Sequence, residues 1–336
     1  MYIQRMNALL LALFFAAAPH YHVVKHFAVG GDSGWDYLTI DAPSHRLFIS
    51  HADHVVVLDV ASGKVVGDIP KTEGVHGIAI ARDLERGFIS NGRTNNVTIF
   101  DLDSLKVTGE AKTSERPDAI MFEPASSRVF TFNAGGKNTT AIDAKTGTIA
   151  GEIPLGGKPE FAVHDGAGHV FVNIEDTSEL AEIDAAKLTV VKRWKLAGCE
   201  DPSGLAIDRK HHRLFSGCAN KVMAISDAEK GALITTVPIG EGVDGDGFDP
   251  AYDVAFASCG GSGTLTVVHE STPEKFEVVD NVATARGART MAVDETTHHI
   301  YLPTAQLAPA PAPTPENPRP RRTIVPGTFE IIEVAP

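Results

Sequence analysis

The chain has 336 residues, of which 43% are hydrophobic and 22% are charged, as is usual for a soluble globular protein. This length suits one large β domain or two medium ones. The formal net charge of −13 disfavours general nucleic-acid binding, because that binding needs basic patches that neutralise phosphates.

The N-terminal residues 1–18 are predicted to be a signal peptide. Arg5 supplies a positive charge, and residues 8–18 form an apolar run that is too short to span a bilayer. A buried N-terminal strand or helix is the alternative. No later stretch approaches membrane length, so we expect an exported protein, periplasmic or secreted, that is monomeric and not an integral membrane protein.

The rest of the chain, 19–336, contains seven copies of an aromatic-led β pattern. The steps between their aromatic residues are 40, 42, 41, 44, 41 and 45 residues. Those aromatic residues are Phe48, Phe88, Phe130, Phe171, Phe215, Phe256 and Tyr301. Each copy carries about four short alternating segments separated by polar turns, which is typical of a propeller blade. The sequence therefore predicts an all-β fold, a seven-bladed β-propeller of four-stranded antiparallel blades. A β-solenoid is the alternative, although its repeats are shorter.

The two ends of the chain are expected to share one blade. The last copy has one clear strand after its aromatic segment, FEIIEV at 329–334, and so lacks its fourth strand. The strand YHVVKHF at 21–27 lies upstream of the first copy. We expect it to complete the last blade, which would close the ring and leave no open sheet edge.

Two strings resemble a known repeat family. They are RGFISNGRTNNVTIFDLDSLKV (86–107) and RLFISHADHVVVLDVASGKVVGDIP (46–70), and both are similar to the YVTN repeat of the YncE-like proteins. The resemblance covers residues 21–336 and implies an exported seven-bladed propeller. It describes a repeat and implies no particular activity. The chain departs from the family's asparagine at Cys218, Cys259 and Thr304.

A polar residue opens the first strand of every copy. These residues are Asp36, His76, Asp118, Glu160, Ser203, Asp244 and Arg289. First strands line the channel of a propeller, so these seven side chains are expected to meet at one channel mouth. Four acids against one arginine give 4 − 1 = 3 formal negative charges. We predict a site for a small polar or cationic ligand or for a protein partner.

A second polar set ends the second strand of each copy and is predicted to form another tier of this site. Its members are His51, Asn91, Asn133, Asn173 (one place early), Cys218, Cys259 and Thr304. Carboxylates with asparagine oxygens suit calcium, whereas histidines beside an acid suit a transition metal. The candidate ligands of a divalent metal are Asp36, His51, His76, Asp118 and Glu160. The alternative is ordinary turn chemistry around a hydrated channel.

Three other features lie near the predicted mouth. Cys199 and Cys218 are predicted to form a disulfide, which leaves Cys259 unpaired. Trp35 and Phe161 flank the ring as either ligand-stacking or inter-blade residues. A proline-rich loop, 305–322, carries six prolines and three arginines and is expected either to cover the mouth or to be a disordered tether. The histidines at 211, 212, 298 and 299 are interpreted as surface turns on the opposite face.

These observations favour a non-catalytic binding propeller. The first alternative is a divalent-metal-dependent hydrolase or lyase, similar in architecture to the six-bladed lactonases, with His76, His51 or an acid as the base. The second alternative is an electron-transfer enzyme subunit, although the sequence has no CxxCH haem-attachment motif.

Overall fold

The structure, a computed structural model, describes residues 19–312, residue 314 and residues 322–336. The predicted signal peptide lies outside the described residues, as do Arg319 and Arg321 of the proline-rich loop. Within the described part, no helix is long and apolar enough to cross a membrane. The chain forms seven four-stranded antiparallel sheets, which confirms the predicted seven-bladed propeller.

The first strand of the chain, β1 (His22–Ala28), precedes blade 1 and belongs to blade 7. Blade 1 contains β2 (Trp35–Asp41), β3 (Arg46–His51), β4 (His54–Asp59) and β5 (Lys64–Pro70). Blade 2 contains β6 (Val75–Ala81), β7 (Arg86–Asn91), β8 (Asn96–Asp101) and β9 (Val107–Lys112). Blade 3 contains β10 (Pro117–Glu123), β11 (Arg128–Asn133), β12 (Asn138–Asp143) and β13 (Ile149–Pro154).

Blades 4 to 7 repeat this order. Blade 4 contains β14 (Pro159–His164), β15 (His169–Ile174), β16 (Glu179–Asp184) and β17 (Thr189–Lys195). Blade 5 contains β18 (Pro202–Asp208), β19 (Arg213–Cys218), β20 (Val222–Asp227) and β21 (Ala232–Pro238). Blade 6 contains β22 (Val243–Asp249), β23 (Val254–Cys259), β24 (Thr264–Thr272) and β25 (Lys275–Ala283). Blade 7 contains β26 (Ala292–Asp294), β27 (His299–Thr304) and β28 (Glu330–Ala335), with β1 as its fourth strand.

Blade 7 is built from both ends of the chain, as expected. Strand β1 pairs antiparallel with β28, from His22 opposite Ala335 to Ala28 opposite Glu330. Phe27 of β1 is buried in this blade. Tyr21, the residue before β1, packs edge-on against Phe256 of blade 6, with ring centroids 4.9 Å apart. The N-terminal strand therefore closes the sheet of blade 7 and also contributes to its core.

The core lies between neighbouring blades. All seven repeat aromatics are buried, and each packs in a cluster that draws side chains from at least two blades. Phe48 of blade 1, for example, packs with Ile78 and Phe100 of blade 2. The regular spacing of these aromatics therefore reflects one inter-blade contact repeated around the ring.

Candidate functional site

The mouth residues sit at a recurring irregularity of the inner strands. In blades 1 to 6 the ladder between the first and second strands shifts register where the first strand begins, for example between Trp35 and Leu38 and between Val75 and Ile78. Asp36 and His76 lie inside these shifts. A β-bulge bends its strand and redirects a side chain, so the same local device presents a polar residue at the mouth in each of these blades.

Serines of the second strands hold this irregular backbone in place. Ser50 accepts a hydrogen bond from the Asp36 amide at 2.8 Å, and Ser90 accepts one from the Gly77 amide at 2.9 Å. In blade 4 the equivalent side chain is Asn173, whose amide donates to the Ser203 carbonyl at 3.1 Å. Asn173 therefore belongs to this supporting set, which explains why it is one place early in the sequence.

Part of the mouth forms a continuous charged network. His76 Nδ1 lies 2.6 Å from Asp36 Oδ2 in a hydrogen bond and 3.5 Å from Asp118 Oδ1. Arg289 donates from Nη2 to the other Asp36 oxygen at 3.1 Å and from Nε to Asp244 at 2.6 Å. Five blades are thus linked across the mouth by hydrogen bonds and ion pairs.

A lysine that sequence reasoning missed completes the charge balance. Lys158 lies just before β14, and its ammonium contacts both Glu160 and Glu175. Because Lys158 brings Glu175 with it, the expected three negative charges are unchanged. Five carboxylates face two fixed cations, and 5 − 2 leaves 3 negative charges when His76 is neutral. The signal was present in the sequence, because Lys158 lies two residues before the mouth position.

The ionisation of the mouth reflects this excess of carboxylates. Burial, together with the charges of Asp36 and Asp244, raises the pKa of Asp118 despite the nearby His76. Burial and the Asp118 charge likewise raise the pKa of Glu160. Burial lowers the pKa of His76, but its hydrogen bond to Asp36 and the charge of Asp118 outweigh that effect and raise it. The local field therefore favours bound protons or another cation.

The channel below the mouth is filled by two aromatic rings. Tyr37 of blade 1 follows the mouth residue Asp36, and Phe161 of blade 4 follows Glu160. Their ring centroids are 5.0 Å apart, and Tyr37 is buried in a cluster from blades 3 and 4. Burial and the charges of the four mouth carboxylates raise the pKa of Tyr37, so its hydroxyl is close to all four. The mouth therefore has an aromatic floor.

The other five blades make room for these rings with smaller residues at the same position. These are Gly77, Ala119, Gly204, Gly245 and Thr290. A Cβ added to Gly204 would lie 2.7 Å from the Asp246 amide nitrogen, so no larger residue fits there without a backbone shift. The presence of two aromatic residues and five small ones at this repeat position was a sequence signal that could have identified the aromatic floor.

The asparagines of the predicted second tier bond within their own blades through their amide nitrogens. Asn91 is buried and donates to Asn96 and Thr98 of the third strand, at 2.9 and 2.8 Å. Asn133 makes the same contacts to Asn138 and Thr140 in blade 3, at 2.8 and 2.9 Å. These donations tie the second strand to the third, and the Asn91 oxygen has no hydrogen-bond partner among the described residues.

His51 and Trp35 also belong to the packing between blades 7 and 1. His51 is buried against Phe329 and His54, and burial lowers its pKa. Trp35 stacks on the same Phe329 at 5.4 Å. The structure therefore separates His51 from the other proposed metal ligands. Ser203 remains at the mouth, where its hydroxyl donates to the Val243 carbonyl at 3.0 Å.

All three cysteines are buried in the protein core. A disulfide joins Cys199 to Cys218, with an S–S distance of 2.09 Å, and both residues are buried. Cys259 is a buried free thiol whose pKa burial raises to about 11. A thiol in this state is a poor nucleophile, so Cys259 offers no reactive group to the mouth.

The base of the proline-rich loop is ordered against blade 7. Leu307 pairs with Ile324 in an isolated antiparallel bridge, and the Gly327 amide donates to the Gly31 carbonyl at 2.7 Å. Arg322, which begins the returning part, is exposed. The loop therefore starts and ends beside the segment that leads into Trp35 and the mouth.

Three mouth side chains have donor atoms that suit a cation. One nitrogen or oxygen from each of Asp36, His76 and Asp118 lies within 4.8 Å of the other two. Glu160 is instead engaged by Lys158, and His51 is remote from this group. A divalent metal would therefore be held by Asp36, His76 and Asp118, three of the five residues that the sequence suggested.

The comparisons with known proteins define a class. No protein-family model matches the chain, and no curated protein matches it. A chain of Kuenenia stuttgartiensis hydrazine synthase is similar, with a TM-score of 0.71 and 15% identity over 81% of this chain and 92% of that one. The RRP9 WD40 repeats align with a TM-score of 0.75 and 10% identity, over 95% and 99%.

A chain in a mitotic checkpoint complex structure has a TM-score of 0.73 and 13% identity, over 89% and 95% of the two chains. Identities at this level establish a shared fold and leave function open, because unrelated activities use the same propeller. The chain is therefore a seven-bladed β-propeller with a polar channel mouth.

Proposed function

We propose that this chain is a binding propeller whose mouth recognises a small organic cation of the alkylammonium type. The observation that carries this proposal is the Asp118 carboxylate. It accepts no hydrogen bond from any described residue, and the nearest cation, His76 Nδ1, is 3.5 Å away. Asp118 is partly buried, with 18% of its side chain exposed, and a ligand ammonium would supply both the charge and the hydrogen bonds that this carboxylate lacks.

The surroundings of Asp118 support a cation in preference to an anion. Even with His76 protonated, five carboxylates, Glu175 included, face three cations, and 5 − 3 leaves 2 negative charges. Tyr37 and Phe161 form an aromatic floor beneath them. Aromatic faces together with carboxylates are the usual surroundings of bound ammonium groups. A lysine or arginine side chain of a protein partner would offer the same chemistry.

A divalent metal with hydrolase or lyase activity is the second candidate. The close approach of Asp36, His76 and Asp118 favours it. Such a metal would supply an activated water, with a neighbouring carboxylate as base. His76 Nδ1 is however already hydrogen-bonded to Asp36, and this bond would have to break before the nitrogen could bind a metal. For that reason we place the metal second.

Export and family membership are parts of the same proposal. The apolar N-terminal segment supports a signal peptide at 1–18 with a single mature propeller at 19–336, which would be periplasmic or secreted and monomeric. The repeat strings support membership of the YVTN type. The hypothesis of an electron-transfer subunit is supported only by the fold that this chain shares with hydrazine synthase, and we do not adopt it.

Thermal unfolding with defined probes tests the proposal. The probes are tetramethylammonium, 1,4-diaminobutane, Ca²⁺, Mn²⁺ and the neutral analogue 1,4-butanediol. We expect an organic cation to raise the melting temperature and butanediol to leave it unchanged. The substitution Asp118→Asn should abolish the rise. Asp83→Asn, which removes an exposed charge that makes no described contact, is the control.

The pattern of responses separates the two candidates. A rise with Mn²⁺ or Ca²⁺ alone that Asp118→Asn removes would support the metal site. A rise with butanediol equal to that with diaminobutane would refute recognition of charge. No response to any probe would refute the proposal for this class of ligand.

A further inference from the structure

A second cluster of metal-binding side chains lies at the boundary of blades 5 and 6. Asp208 ends the first strand of blade 5, His211 follows in the turn, and Glu270 lies on the third strand of blade 6. One donor atom from each lies within 4.8 Å of the other two. This cluster is at the opposite end of the inner strand from the mouth residue Ser203, so it is separate from the candidate site.

The three donor groups converge without bonding one another. His211 Nδ1 lies 2.7 Å from Asp208 Oδ2 and 3.0 Å from Glu270 Oε1, but neither approach has hydrogen-bond geometry. Both oxygens of Glu270 are buried and have no hydrogen-bond partner among the described residues, and Glu270 is only 3% exposed. The Asp208 oxygens accept backbone hydrogen bonds from Lys210 and His211, which orient this carboxylate toward the other two groups. The unbonded His211 nitrogen and Glu270 oxygens are the donors that a metal ion would use.

Other histidine–carboxylate pairs of the same face differ in this respect. His298 hydrogen-bonds Asp249 at 3.0 Å, and His299 hydrogen-bonds Glu333 at 2.7 Å. In each pair the imidazole satisfies the carboxylate directly. The contrast shows that proximity of a histidine to an acid is common in this fold, whereas the geometry at His211 is not.

The repeat shows that the fold does not require a carboxylate at Glu270. The Glu270 amide donates to the Asp253 carbonyl, which belongs to the turn before the second strand. In five other blades the amide at this place makes the same bond, and its residue is apolar. These residues are Val60, Leu102, Ala144, Ala185 and Ala228. A glutamate has therefore replaced a buried apolar residue in blade 6 alone among these six blades.

The charges around the cluster leave room for a cation. Asp253 is the third carboxylate nearby, and Lys210 lies 3.7 Å from it. Arg213 is held by Asp227 at 3.3 Å and by the His211 carbonyl at 2.8 Å. Both cations are thus paired away from Glu270. Burial and the Asp208 charge raise the pKa of Glu270 to about 8, although the charges of Arg213 and Lys210 act in the opposite direction.

We propose that Asp208, His211 and Glu270 bind a divalent transition-metal ion such as Zn²⁺, which joins the turn of blade 5 to the third strand of blade 6. One imidazole with two carboxylates suits such an ion, and water would complete its coordination. The His211 side chain is 23% exposed, so the ion has a path from solvent. This site does not depend on the function proposed for the mouth.

Calorimetric titration of Zn²⁺ into the full chain, stripped beforehand with a chelator, tests the site. The matched variants are His211→Asn and His212→Asn, because the two histidines are adjacent in one turn. We expect the wild type to bind one Zn²⁺ at this cluster, and His211→Asn to bind that ion about tenfold or more weakly. The variants His212→Asn and Asp118→Asn, the second of which alters the mouth, should bind it as the wild type does. Equal Zn²⁺ binding in all four proteins, or none in the wild type, overturns the proposal.

The variant Glu270→Ala provides a second measurement that does not rely on His211. Alanine is the residue that blades 3, 4 and 5 carry at this position, so the variant should fold. We expect Zn²⁺ to raise the melting temperature of the wild type and not that of Glu270→Ala. In the presence of a chelator the variant should be the more stable of the two, because it has no buried carboxylate. A Zn²⁺-dependent rise that persists in Glu270→Ala contradicts the assignment.

Discussion

Tyr37 of blade 1 and Phe161 of blade 4 meet across the channel, with ring centroids 5.0 Å apart. The contact joins two blades that are not neighbours in the ring. It fills the channel directly below the carboxylates of the mouth. The contact stabilises the centre of the ring.

The substitution Tyr37→Ala should destabilise the protein strongly. It removes a buried ring from a contact between blades, and such truncations cost about 3–5 kcal/mol. Tyr37→Phe keeps the ring and should cost less than about 1 kcal/mol. Urea unfolding followed by circular dichroism measures both values. A loss below about 1 kcal/mol for Tyr37→Ala would mean that the contact contributes little.

Closure of blade 7 by the N-terminal strand gives a second prediction. Phe27 is 2% exposed on β1, whereas Val24 of the same strand is 45% exposed. Phe27→Ala should lower the free energy of unfolding by about 3–5 kcal/mol, and Val24→Ala should change it by less than about 0.5 kcal/mol. Equal effects in denaturant unfolding would show that β1 is not packed into the blade.

The state of the three cysteines predicts a labelling pattern. In the native, unreduced protein we expect no thiol to react with a maleimide, because Cys259 is buried and its pKa is about 11. Unfolding without reduction should expose one thiol, and reduction should expose three. Mass spectrometry counts the labels. Three labelled thiols before reduction would exclude the Cys199–Cys218 bridge.

Replacing that bridge should also destabilise the protein. The two cysteines are 19 residues apart, and a disulfide that closes a loop of this size contributes about 2–4 kcal/mol. The double substitution of Cys199 and Cys218 by alanine should therefore lower the denaturation midpoint. The substitution Cys259→Ala is the control for loss of a buried sulfur.

The raised pKa values of the mouth carboxylates predict that the free energy of unfolding falls as pH rises. Asp118 and Glu160 have raised pKa values, so between their unfolded and folded values the native state holds more protons than the unfolded chain. The free energy of unfolding then decreases with increasing pH. The raised pKa of His76 acts in the same direction, since its contribution is complete at low pH and is lost above its folded pKa.

Urea unfolding at several values between about pH 5 and about pH 8 measures this slope. The double variant Asp118→Asn with Glu160→Gln should flatten it. Asp184→Asn should not, because hydrogen bonds from Lys187 hold the pKa of Asp184 at about 2, below this window. A slope of the opposite sign in the wild type would contradict the proposed ionisation of the mouth.

The architecture followed from the sequence because each blade repeats one pattern. Seven aromatics at nearly constant spacing identified the blades, and the orphan strand at 21–27 identified the closure, since both depend on local periodicity. The mouth residues were placed by the same comparison. The position of a residue along its strand was therefore predictable wherever the seven repeats could be aligned.

Partners of individual side chains were not predictable in this way. The role of Asn91 depends on Asn96 and Thr98 of its own blade, and a strand has two faces that the repeat alone did not distinguish. Lys158 lies outside the aligned position, and His211 meets Glu270 only through the packing of two blades. These contacts arise from tertiary structure, so the sequence showed where Lys158 lies relative to the mouth residue but not which side chains it or His211 contacts.

Calorimetric titration of 1,4-diaminobutane, in two buffers of different ionisation enthalpy, tests the central claim most directly. The account predicts binding to the wild type with release of protons near neutral pH, because an incoming cation lowers the raised pKa values of Asp118 and Glu160. It predicts affinity weaker by about tenfold or more in Asp118→Asn, which corresponds to about 1.4 kcal/mol. Unchanged affinity in that variant, or equal binding of 1,4-butanediol, would contradict it.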